Sequence, residues 1–215
     1  MGAMEILAAM ALDVAGSTDA ELEQKMALLQ MGVAQPFHLI FIVLAVFALL
    51  AGLYDERKDA SILFWKSMPV SDAATVASKL VFVMWVAPVV TIVAILLAQF
   101  LSLTLVSLYV EDGMGGRVWA VSGFWWQPLA LLAGYVKFGL WMLPFAAWIM
   151  LVSAAAGKLP ALWALGIPWM LVILEQIFFS TEILANIILN QLKGWSIAQG
   201  GADAGMAVGV FEPQL

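Results

Sequence analysis

The residues of this chain best suited to engaging a partner lie in one charged stretch, Tyr54 to Asp72. Asp55, Glu56, Arg57, Lys58, Asp59, Lys66 and Asp72 offer both signs of charge beside an apolar knot, Ile62-Leu63-Phe64-Trp65. Opposed charges orient a docking partner and desolvated aromatics anchor it, so the chemistry these residues suit is recognition. The same groups also fit a plain connector whose Trp65 rests in a headgroup layer, where tryptophan is favoured. Catalytic patterns are missing: there is no cysteine, and no G-x-x-x-x-G-K-[ST], H-E-x-x-H or G-x-S-x-G run occurs. The lone histidine, His38, does not make a histidine-rich metal site and is expected to touch the headgroup layer. Two charges, Lys137 and Glu175, fall inside apolar runs and form a candidate intramembrane pair, either functional or purely structural. The expectation is a chain that is not an enzyme and holds no cofactor or metal of its own.

The elements that must carry these residues are membrane helices. The chain has 215 residues, of which 64% are hydrophobic and 11% charged. Soluble domains run near half apolar and a quarter charged, so this balance predicts an all-α, polytopic membrane helix bundle. The net charge of −6 gives no basic footprint for nucleic acid. Four spans are predicted, at about 36–54, 80–110, 128–156 and 159–179. The 55–79 loop joins the first two, and Gly157-Lys158 turns the last two into a hairpin.

Local signals refine this frame. Residues 1–35 read as an extracytoplasmic segment with a short helix through about Met31, opened by a capping box of Thr18 and Glu21. Pro36 marks the entrance to the first span. Ser71 is the expected N-cap for the second helix, so that helix can begin in water near Asp72. Its 80–110 apolar run exceeds the membrane core, which implies tilt, a kink at Pro88 or extension past one face. Glu111 to Gln127 reads as a loop, broken by Gly113, Gly115 and Gly116 and ending in an interfacial Phe124-Trp125-Trp126 belt. Pro144 and Pro168 lie inside the later spans. Residues 181–215 read as an extracytoplasmic amphipathic helix, with Ile183, Leu184, Ile187, Ile188 and Leu192 on one face, and a tail.

Positive charge orients the spans. Arg57, Lys58, Lys66, Lys79 and Lys158 fall on one side, and Lys25, Arg117 and Lys193 on the other. The bias places residues 55–79 in the cytoplasm and both ends of the chain outside.

The run from Leu53 through Asp59, then Ser61 through Asp72, with Thr75, Val76, Ser78 and Lys79, resembles bacterial ABC type-2 transporter permeases. Their pattern L-Y-D-E-R-x-D-x-S-I-L-F-W-K-S-x-P-V-S-D lies between the second and third membrane helices. The resemblance implies a permease subunit of an ATP-binding-cassette exporter in the bacterial cytoplasmic membrane. It implies a homodimer or paired permease, with ATP and magnesium held by a separate ABC-type ATPase. The loop would couple that ATPase to the helices, placing Asp55, Glu56, Arg57, Lys58, Asp59, Phe64, Trp65, Lys66, Ser71 and Asp72 at the contact. Such permeases have six spans, so the four here correspond to the second through fifth, and the chain is expected to lack the first and last. The reading from another class is a non-transporting scaffold or sensor whose cytoplasmic loop recruits a soluble partner.

Overall fold

Thr18 and Glu21 start the first helix as their spacing predicts. In the computed structural model, the Thr18 backbone N–H donates to Glu21 Oε2 at 2.8 Å, and the Glu21 N–H donates to Thr18 Oγ1 at 3.4 Å. The structure describes residues 17–60, 63–64, 67, 71–110, 114–193, 195–197 and 211–213. Helix α1 then runs without interruption from Asp19 to Lys58, 40 residues, through Pro36. The expected division into a short helix and a separate span is corrected. Pro36 and Gly32, whose carbonyl the proline leaves without a donor, both lie on the exposed face, while Ala34 and His38 are fully buried. Packing on the buried face therefore carries the helix past its proline, whose usual cost is about 3 kcal/mol. Arg57 and Lys58 close the last turn, where cations oppose the helix dipole. Ala60, at φ 57°, turns the chain out of the helix.

Ser71 caps α2 (Asp72–Val81) by accepting the Ala74 N–H at 3.2 Å, as its position predicted. A five-residue π-turn, Phe82–Val86, follows, and α3 continues from Ala87 to Tyr109. The Ala87 N–H reaches back five residues to the Phe82 carbonyl. Pro88 cannot donate to the carbonyl four residues before it, and a widened turn beside it is a common way to absorb that mismatch. The long apolar run is thus one helical rod that starts in the polar loop and contains a π-turn.

The stretch expected as a loop between Glu111 and Gln127 contains a helix, α4 (Gly115–Val121), and a single 3₁₀ turn at Phe124–Trp126. Glycine here serves approach and turning. A Cβ on Gly115 would lie 3.1 Å from the Ser107 carbonyl oxygen, and Gly123 adopts φ 63°. Val118 is fully buried, and Trp119 packs with Phe100, Phe124 and Trp125.

Helix α5 (Gln127–Ala155) and α6 (Pro160–Phe179) form the expected hairpin, turning at Leu159 with φ 52°. Trp148 Nε1 donates to the Ala164 carbonyl across it at 3.0 Å. The amphipathic α7 (Ile183–Lys193) follows, and two three-residue strands, β1 (Trp195–Ile197) and β2 (Phe211–Pro213), pair. Among the described residues four helical stretches, Asp19–Lys58, Asp72–Tyr109, Gly115–Ala155 and Pro160–Phe179, are long and apolar enough to cross a membrane. The chain is an all-α bundle with the character of a multi-pass membrane protein.

By contacts the chain divides into two units. The first takes residues 1–40, 89–135 and 197–212, and the second 41–88, 136–196 and 213–215. The first unit's core is Leu22, Met26, Leu103, Val106, Val110 and Val118. Among the described residues the second packs around Leu49, Val83, Ala146 and Met150, and around Leu50, Val152, Ala156 and Ala164. Pairing fixes helix directions within the first unit. Gln30 meets Gln127 and His38 meets Tyr135, both at a sequence separation of 97, so α1 and α5 run parallel.

Candidate functional site: a clamp at the base of the charged loop

The second unit ties the ends of three helices together beneath the charged loop. Arg57, in the last turn of α1, directs Nη2 to the carbonyls of Ser153 at 2.9 Å and Ala156 at 2.7 Å. These carbonyls lie at the C-terminal end of α5, where backbone acceptors lack helical partners and the dipole favours a cation. Ser153 returns the contact. Its fully buried hydroxyl donates to the Leu50 carbonyl at 2.6 Å and accepts the N–H groups of Leu53 at 3.2 Å and Tyr54 at 3.0 Å. The hydroxyl therefore sits across one turn of α1, a place where side-chain insertion loosens the backbone ladder.

Lys79, on α2, completes the clamp. Its Nζ donates to the Gly52 carbonyl at 2.6 Å and to Glu56 Oε1 at 2.6 Å. Gly52 suits this approach, since an added Cβ would lie 3.4 Å from the Lys79 stem. Leu53, Val76, Leu80 and Ile149 pack around the buried Leu49, Val83, Ala146 and Met150 just beyond the clamp. The clamp is thus anchored on one side in apolar packing and open on the other to the loop.

This geometry sorts the residues expected at a partner contact. Asp55, Lys58, Asp59, Phe64 and Asp72 are exposed, with Leu63 beside Phe64 on the same open segment. Glu56 and Arg57 direct their charged groups to the clamp, Glu56 half-buried against Lys79 and Arg57 exposed but bonded to the carbonyls at the end of α5. Ser71 spends its hydroxyl as a cap. Trp65 and Lys66 lie outside the described residues. The loop itself shortens, since 55–58 complete α1 and 72–79 belong to α2.

The expected Lys137–Glu175 pair is not formed. Glu175 Oε1 accepts from the Thr181 hydroxyl at 2.8 Å and the Ile183 N–H at 2.9 Å, and Oε2 accepts from the Leu184 N–H at 2.9 Å. The carboxylate caps the start of α7, where free N–H donors cluster, and Lys137 is exposed. His38 is also corrected. It is fully buried, with Nδ1 at 2.7 Å from Tyr135 Oη, rather than at a headgroup layer.

Two features escaped the sequence reading. Ser153 looked like one small residue among Ala154, Ala155 and Ala156. A cluster of fully buried glutamines, Gln30, Gln99 and Gln127, joins α1, α3 and α5 in the first unit. Gln99 within the uncharged 80–110 run was a visible signal for it. Among the described residues no group of three or more His, Cys, Asp or Glu could hold a metal. No family model, curated protein or solved structure matches the chain.

Proposed function

We propose that the chain is the membrane-spanning permease subunit of an ATP-binding-cassette exporter in a bacterial cytoplasmic membrane, working as a pair and driven by a separate ABC-type ATPase that holds ATP and magnesium. The observation that supports this most is the clamp. A force applied to the exposed loop meets Arg57, Ser153, Lys79 and Glu56 at once, so the linked segments of α1, α2 and α5 in the second unit take it up together. A connector with no mechanical task needs no such convergence. The charged, aromatic segment supplies the grip, and the clamp supplies the transmission.

The two roles separate experimentally. In co-purification with candidate ABC-type ATPases, Asp59→Arg combined with Phe64→Ala should abolish the complex, since both residues are exposed on the loop. Ser153→Ala and Arg57→Ala should leave the complex intact but remove stimulation of its ATP hydrolysis in nanodiscs. An ATPase complex that forms equally well with all variants would overturn the loop as the docking site. A soluble partner that binds the loop but hydrolyses no nucleotide would favour the scaffold reading.

A further inference from the structure

The glutamine node in the first unit holds more acceptors than the described residues supply donors for. Gln30 is its hub: Nε2 donates to the Ser122 carbonyl at 2.9 Å, Oε1 accepts from Gln127 Nε2, and the Gln30 carbonyl accepts from Gln99 Nε2 at 3.2 Å. Both outer amides are therefore anchored through nitrogen on one residue. Their oxygens, Gln99 Oε1 and Gln127 Oε1, are buried with no donor among the described residues. All three side chains are fully buried. A buried amide oxygen without a donor is costly, and such groups are ordinarily satisfied by protein or by bound water.

The chemistry of the node selects what can satisfy it. Two acceptors call for two hydrogens. The hydrogen-bonding groups around them are neutral amides, the Ser122 carbonyl and the Gln30 backbone, with no carboxylate in the network. A cation would surrender its hydration for neutral oxygens in an apolar bundle, which is expensive without a counter-charge. A small neutral donor meets no such penalty. We propose that the Gln30–Gln99–Gln127 node is a binding site for a resident water molecule, which donates to Gln99 Oε1 and Gln127 Oε1 and ties α3 to α5 through a third helix, α1. This inference stands apart from the exporter reading and does not depend on it.

The test uses the full chain in nanodiscs, deuterated and labelled with ¹⁵N-glutamine, with magnetisation transfer measured from water to side-chain amide protons. Wild type should show cross-peaks to a long-lived water at the Nε2 hydrogens of both Gln99 and Gln127. Their absence, with the amide signals present, would overturn the site. Gln99→Met should remove the water cross-peak at Gln127, and Gln127→Met the one at Gln99; full intensity retained in both variants would also overturn it. Replacing sodium by choline in the buffer should leave the wild-type cross-peaks unchanged. A sodium-dependent shift at either amide would assign the node to a cation and contradict the proposal. Because the wild-type measurement decides alone, a variant that fails to fold does not rescue the idea.

Discussion

The clamp and the glutamine node solve the same problem, polar groups inside an apolar bundle, with different completeness. At the clamp, Arg57 reaches carbonyls at the end of α5, Lys79 reaches the Gly52 carbonyl and Glu56, and the Ser153 hydroxyl both donates and accepts. At the node, amides from within α1 and α3 meet Gln127 at the start of α5, one of them donating to the Ser122 carbonyl at the end of α4, and two amide oxygens are left over. A cation carries only donors, so carbonyls can satisfy it, whereas each amide brings both a donor and an acceptor that need partners. Cations on backbone acceptors can therefore make a closed, stiff joint, whereas amides anchored through nitrogen leave oxygens that need a guest. Stiffness at the loop base is what a force-transmitting element requires.

Gln30→Leu should give the largest effect, because it strips Gln127 Nε2 and the Ser122 carbonyl of their partners together. Leaving two buried groups unsatisfied costs on the order of 2–4 kcal/mol. Reversible unfolding in bilayers measures this. A loss below about 1 kcal/mol, the scale of an average membrane hydrogen bond, would mean that the node is not structural.

Ser153→Ala should cost less, on the order of 1–2 kcal/mol, since the Leu53 and Tyr54 N–H groups can fall back on their own helix. Its signature is local. Hydrogen exchange should change at Leu53 and Tyr54 and stay unchanged at Gln30, and a uniform change would erase the distinction between the two joints.

The smallest expected effect is a gain. Ala60 sits at φ 57°, where glycine is more comfortable, so Ala60→Gly should stabilise the chain by roughly 0.5–1 kcal/mol. A loss in thermal stability would show that α1 does not end rigidly at the loop.

Much of this architecture was legible in the residues. The Thr18–Glu21 capping box, the Ser71 cap, the Gly157-Lys158 hairpin and the amphipathic α7 all follow from local chemistry, which sequence displays directly. Pro36 misled because a local breaker was outvoted by burial on the opposite helix face. Helix α4 was hidden behind helix-breaking glycines, of which Gly115 serves close approach to Ser107. Glu175 and Lys137 looked like natural partners on a hairpin, but Glu175 is taken by the Thr181 hydroxyl and the first backbone N–H groups of the following helix. For the candidate site, the charged loop announced itself, and its inward half did not. Nothing in the type of Arg57 or Ser153 says which carbonyls lie within reach until α1 and α5 are placed side by side.

The central claim is that the exposed end of α1 and the loop after it face the cell interior and receive force there. The chain has no cysteine, so Asp59→Cys introduces a single reporter at an exposed position. A membrane-impermeant maleimide should leave intact cells unlabelled at this site and label it fully in inverted membrane vesicles. Labelling from the outside of intact cells would contradict the account.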